Sequence, residues 1–205
     1  MNQIKFREII LSKNPVWPLI VVVEGSLNLI DCTGITQLPQ GLVVNGPLYL
    51  SGCTGLIQLP QDLVVNGILS LTDCTGLTSL PPFMTRPWSL DLTGCTGLTQ
   101  LPQDLVVEGN LTLTGCTGLT RLPQGLVVKR FLDLTGCTGL MSISGKIKGT
   151  IYLDDQLFDK FSTQNLSEYK DHFEEKFQDL LESKVIQEKI KNAPKKTRFQ
   201  ILKEK

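Results

Sequence analysis

"LTGCTGLTQLPQDLVVEGNLTLTGCTGLTRLP", residues 92–123, states one phrase twice: a Leu-x-Leu pair, a turn built on Gly-Cys-Thr-Gly-Leu, then Leu-Pro. The same phrase recurs along the chain with its cysteine at Cys32, Cys53, Cys74, Cys95, Cys116 and Cys137, spaced 21 residues apart. Self-similarity at a fixed period is the signature of a solenoid, in which each coil buries its apolar edge only by stacking on its neighbours. That reading precedes every other one, because it decides what each repeated residue is for.

Written from the strand, a unit reads x-Leu-x-Leu-x-(Gly/Asp)-Cys-Thr-Gly-Leu-x-x-Leu-Pro-x-x-Leu-x-Val-x-Gly. The alternation in Leu-x-Leu predicts a half-buried strand. It recurs at Leu27/Leu29, Leu48/Leu50, Leu69/Leu71, Leu90/Leu92, Leu111/Leu113, Leu132/Leu134 and, after a unit shortened by two residues, Ile151/Leu153. Seven parallel strands are therefore expected. Asp31, Gly52, Asp73, Gly94, Gly115 and Gly136 precede the cysteines, where residues tolerant of left-handed backbone turn the chain out of the strand. Leu-Pro then imposes an extended, non-helical return, and a second apolar pair such as Leu105 and Val107 plugs the back of the coil.

The cysteines form a file. Each is expected to point inward and stack on its equivalents as a buried, reduced ladder. Coil spacing of about 4.8 Å would permit a disulfide by distance, but parallel side-chain vectors make bridging awkward. Zinc is disfavoured, since there is no Cys-x-x-Cys pair and the one histidine, His172, lies outside the array.

These units resemble leucine-rich repeats, and their Leu-Pro step resembles the LPX subclass found in effectors that Gram-negative pathogens deliver into host cells. The resemblance spans roughly residues 17–153, about two-thirds of the chain. It implies a leucine-rich-repeat solenoid of the α+β class, mainly parallel β coils, with helical caps at both ends. Cysteine stands where the family's ladder has asparagine, and one extra residue lies between Leu-Pro and the strand. The convex geometry is thereby left open, including whether Leu-x-Val makes a second short strand.

The expected organisation is an N-terminal cap and half-repeat over residues 1–25, a solenoid of 21-residue units over 26–153, a helical C-terminal cap over 154–193 and a basic tail over 194–205. Trp17 takes the leucine position of the half-repeat. Leu166, Tyr169, Phe173, Phe177, Leu180 and Leu181 share one helical face, as a cap or as a partner-binding helix. The tail reads as disordered, or as a delivery signal or docking peptide.

Composition narrows the function. Twenty Lys and Arg balance twenty Asp and Glu, so no whole-protein field favours nucleic acid or an anionic membrane. The amino terminus is a poor secretory signal and too short to span a membrane. LPX effectors are often ubiquitin ligases with a catalytic cysteine after the repeats, but no cysteine follows Cys137 here. His172 sits among Asp171, Glu174 and Glu175 as a solvated surface residue, and every glycine is accounted for by a turn of the repeat. No catalytic residue, cofactor or metal is expected.

What remains is the set of positions the repeat does not dictate. The outward strand positions are Asn28, Tyr49, Ser70, Asp91, Thr112, Asp133 and Tyr152, preceded by a row in which Ile68 and Phe131 are apolar. In the third unit Pro-Gln-x-Leu-Val-Val-x-Gly becomes residues 81–88, PPFMTRPW, so that Trp88 replaces a glycine beside Arg86. In the fifth, Lys129-Arg130-Phe131 replaces another. Aromatic residues and arginine concentrate binding energy at interfaces; the alternative reading of Trp88 is local packing. The expected protein-binding residues are Tyr49, Arg86, Trp88, Asp91, Lys129, Arg130, Phe131, Asp133 and Tyr152.

The leading expectation is a non-enzymatic module, monomeric alone, that blocks or scaffolds one protein partner through its strand face. The resemblance implies a host protein or a co-delivered effector as partner, and passage from bacterial to host cytoplasm without a cleavable signal. The alternative is a ligase-like or accessory effector that recruits an enzyme through its C-terminal helix. A glycan sensor is a weaker third, because the face has few aromatics at sugar-stacking spacing.

Overall fold

The computed structural model describes Phe6, residues 21–82 and 87–154, and residues 156 and 157. It is a parallel β-solenoid of stacked coils. The front sheet has seven strands, Leu27–Asn28, Leu48–Tyr49, Ile68–Ser70, Ser89–Asp91, Leu111–Thr112, Phe131–Asp133 and Thr150–Tyr152, stacked in chain order. Leu27 pairs with Leu48, Leu48 with Leu69, Leu69 with Leu90, and so on to Leu132 with Ile151. The shortened last unit is absorbed without a slip, because a one-residue shift would turn every leucine outward.

The Leu-x-Val stretch does form a second strand. Val21–Val23, Leu42–Val44 and Val64–Val65 make one rear sheet, and Val106–Val107, Val127–Val128 and Lys146–Ile147 another. All rear pairings are parallel, with Val21 opposite Leu42 as the half-repeat alignment requires. A third line of contact joins Gln58 to Ser79 and Arg121 to Ser142 by parallel bridges. Residues 121–133 are thereby paired with 142–152 along three sides. Between Leu-Pro and the rear strand the return ends in a tight turn, with the amides of Leu63, Leu105 and Leu126 donating to the carbonyls of Pro60, Pro102 and Pro123 at 3.2, 3.3 and 3.1 Å.

The core is built from the repeated apolar positions of all three sides. Leu29, Leu50, Leu71, Leu92, Leu113 and Leu134 form one fully buried file, and no polar or charged residue among those described is buried. Each such leucine contributes about 1.5–3 kcal/mol by leaving water, so coil stacking carries the stability. Phe6, Gln156 and Leu157 are helical, and Phe6 and Leu157 are buried. The rest of both expected helical caps, including Trp17 and the Leu166 to Leu181 stripe, and the basic tail lie outside the described residues.

The left-handed turn expected before each cysteine is present. Asp31 and Asp73 have φ of 58° and 57°, and Gly52, Gly94, Gly115 and Gly136 lie between 72° and 74°. In the first four coils glycine follows each aspartate for a steric reason: a Cβ on Gly52 or Gly94 would strike the carboxylate of Asp31 or Asp73 in the coil before. The glycine after Cys-Thr answers to a different constraint. A Cβ on Gly97 would sit 2.5 Å from the Thr75 carbonyl oxygen, so the coils approach too closely there for any side chain.

The cysteines are all free and buried, as a reduced ladder. Each thiol from Cys53 onward donates to a carbonyl one coil back: Cys53 to Leu29, Cys74 to Leu50, Cys95 to Leu71 and Cys116 to Leu92 at 3.1 Å, and Cys137 to Leu113 at 3.0 Å. The same carbonyls also accept the amide of the cysteine in their own coil, for example Cys74 to Leu71 at 3.1 Å. Both lone pairs are thus used, which is what permits an apolar core to contain this turn. Burial pushes the thiols of Cys53 and Cys137 up to about 11 and those of Cys74, Cys95 and Cys116 up to about 12.

Candidate protein-binding surface

The front sheet places the row Asn28, Tyr49, Ser70, Asp91, Thr112, Asp133 and Tyr152 side by side, each one coil from the next. Tyr49, Asp91 and Asp133 are half-buried and Tyr152 is exposed. The aspartates have local work. Asp91 accepts from the amide of Thr93 at 2.9 Å and from its hydroxyl at 2.7 Å, and Asp133 accepts from the amide of Thr135 at 2.9 Å. Asn28 does the same for the amide of Ile30 at 3.0 Å. These side chains fasten the strand to the turn that follows, a role their outward register in the sequence does not disclose.

Trp88 occupies the corner rank held by Gly25, Gly46, Gly67 and Gly109 in other coils, and is 52% exposed. Arg130 holds the same rank two coils later, and its guanidinium carbon lies 5.1 Å from the centre of the Trp88 ring. Gly109 stands between them. A Cβ on Gly109 would run into the Trp88 carbonyl, and one on Gly149 into that of Arg130. The same approach holds at Gly46 and Gly67, where a Cβ would meet the backbone of Gly25 and Gly46. Trp88 and Arg130 keep their place in the backbone ladder, Trp88 donating to Gly67 at 3.0 Å and Arg130 to Gly109 at 3.1 Å.

Beside Arg130, Phe131 meets Tyr152 of the next coil edge-on, with ring centres 5.7 Å apart. That contact leaves Phe131 half-buried, whereas Ile68 in the same outward rank is 37% exposed. The structure thus joins Trp88 to Arg130 at one corner of the front sheet, and Phe131 to Tyr152 across the last two of its strands. Tyr49 lies at the other end, two coils before Asp91, and Arg86 lies outside the described residues.

The neighbouring rank carries a side-chain ladder of its own. Asn45 donates to Glu24 and Asn66 to Asn45, each at 3.0 Å, and Lys129 pairs with Glu108. Pro87 interrupts that rank just where Trp88 projects.

Charge is divided along the array. Residues 21–82 contain Glu24, Asp31, Asp62 and Asp73 and no lysine or arginine, whereas Arg121, Lys129, Arg130, Lys146 and Lys148 all lie within residues 121–148. Lys146 and Lys148 are exposed and, among the described residues, make no ion pair. Neither was marked by the repeat pattern; counting charge coil by coil finds them. No group of histidine, cysteine, aspartate or glutamate among the described residues is placed to hold a metal, and no described helix is long and apolar enough to cross a membrane. No family model, no curated protein and no solved structure matches the chain.

Proposed function

We propose that the protein is a non-enzymatic binding module that engages one protein partner through the front sheet and its Trp88 corner. The observation that carries this reading is Trp88 itself. A large aromatic side chain, 52% exposed and braced by Arg130, stands where the coil otherwise uses glycine. Tryptophan and arginine are the residues most enriched at binding hot spots. A prestacked pair also loses little side-chain entropy on association.

Area adds a constraint. Seven strands at about 4.8 Å and three outward residues at about 3.3 Å give a strip of roughly 300 Å², against roughly 800 Å² for one side of a standard interface. The corner ranks must therefore join the sheet, and Trp88, Lys129 and Arg130 are where they do so. The module acts by occlusion or scaffolding, holding a partner against a surface ordered in advance. Its likeness to LPX repeats supports an effector role, with a host protein or a co-delivered bacterial protein as target.

Affinity capture with mass spectrometry from host and bacterial lysates tests the reading, with wild type beside a Tyr49→Ala/Trp88→Ala/Tyr152→Ala variant of matched melting temperature. One stoichiometric protein retained by wild type and lost by the variant is the expected result. Equal capture by both moves the site elsewhere. Deleting Leu166 to Lys205 separates this reading from recruitment through the C-terminal segment, which predicts loss of the partner while the solenoid stays folded.

A further inference from the structure

Resting on the protein-binding reading, we propose that the corner of the last coils is a docking edge for a short acidic segment of the partner. All five lysines and arginines of the described residues fall within residues 121–148, while three coils of the other half carry none. Four of the five, Lys129, Arg130, Lys146 and Lys148, belong to two successive coils, since Val127 pairs with Lys146 and Val128 with Ile147. Glu108 neutralises Lys129. Arg130 lies against a ring rather than a carboxylate, and Lys146 and Lys148 have no described anion beside them. Arg130 thus lies against the exposed Trp88, while the exposed Lys146 and Lys148 lie on the rear strand and corner of the coil whose front strand carries the exposed Tyr152.

The occupant's chemistry follows from what flanks the edge. A segment with two or three carboxylates would pair with Arg130, Lys146 and Lys148, and an apolar residue within it would rest on Trp88 or Tyr152. From the Trp88 coil to the Tyr152 coil is three spacings, about 14 Å, the length of about four extended residues. A long polyanion fits less well, because Glu108, Asp133 and Asp154 stand in the same coils and would oppose a continuous phosphate backbone. A short peptide can place its charges between them.

The test uses the full chain and a phage-displayed library of random dodecapeptides. Wild type is expected to enrich peptides with clustered Asp or Glu around an apolar residue, and Lys146→Glu/Lys148→Glu is expected to weaken the selected peptides by about tenfold or more, with Trp88→Ala also weakening them. If reversal lowers the melting temperature, Lys146→Gln/Lys148→Gln gives the same comparison without new carboxylates. Enrichment of peptides lacking carboxylates, no enrichment, or acidic peptides held equally by the charge variants overturns the proposal. So does tighter binding of phosphatidylserine vesicles or a single-stranded oligonucleotide than of the best acidic peptide. A lysate partner whose capture survives the lysine variants keeps the binding module and removes only this edge.

Discussion

Arg130 lies over the ring of Trp88 from two coils away, 5.1 Å from guanidinium carbon to ring centre, across the coil in which Gly109 holds the same rank. This pair joins two departures from the repeat that sequence spacing alone leaves unrelated. Because the site is exposed, the contact is worth about 0.5–1 kcal/mol. Arg130→Ala is expected to lower stability by no more than that in urea denaturation while weakening partner binding at least as much as Trp88→Ala. A loss of several kcal/mol would mean that the pair serves the fold instead.

Thiol chemistry tests the cysteine ladder. All six side chains are buried, so a thiol reagent is expected to label few of them in the native protein and all six in denaturant. Cys95→Ser retains a donor toward the Leu71 carbonyl, whereas Cys95→Ala removes it and costs about 1 kcal/mol more than the loss of packing. Rapid native labelling of most thiols would contradict the placement.

Alkaline pH is expected to destabilise the array. Burial raises the five thiols from 9.0 to about 11 or 12, so the folded chain keeps protons that the unfolded chain releases. The stabilisation is complete below the unfolded value and is lost as pH rises through the window from about 9 to 12. Stability therefore falls as pH rises through that window. Urea midpoints at pH 8 and pH 10 should differ markedly for wild type and much less for Cys74→Ser/Cys95→Ser/Cys116→Ser.

The two kinds of glycine predict opposite tolerances. Gly97→Ala forces a Cβ to 2.5 Å from the Thr75 carbonyl and is expected to cost several kcal/mol or prevent folding. Gly115→Asp meets nothing nearer than 3.9 Å and recreates the left-handed aspartate of Asp73, itself followed by Gly94. It is expected to cost about 1 kcal/mol or less. Thermal melts of the two variants decide the matter.

Asp154 follows the last described strand. Inside the array, Gly52, Gly94 and Gly115 donate their amides to the carbonyls of Thr72, Thr114 and Thr135 in the next coil, each at 2.8 Å. Gly136 donates instead to the Asp154 carboxylate at 2.7 Å, whose other oxygen accepts the amide of Leu157 at 2.8 Å in the manner of a helix N-cap. Asp154→Ala is expected to cost about 1–3 kcal/mol and to speed amide exchange in residues 131–153 before the rest. Uniform exchange throughout would show that the last coil does not depend on it.

The sequence by itself determined the coil. A 21-residue period with leucine at alternate positions leaves one register in which every leucine is buried, and left-handed turns need the Gly or Asp that precedes each cysteine. The seven front strands, the inward cysteines and the half-repeat at Val21 follow from local preference repeated. The second strand at Leu-x-Val, the thiol bonds to the preceding coil and the turn-fastening role of Asp91 and Asp133 became visible only in the tertiary structure. So did the approach of Arg130 to Trp88. The reason is physical: periodicity specifies what a residue does within its own coil, whereas stacking brings together side chains 21 or 42 positions apart.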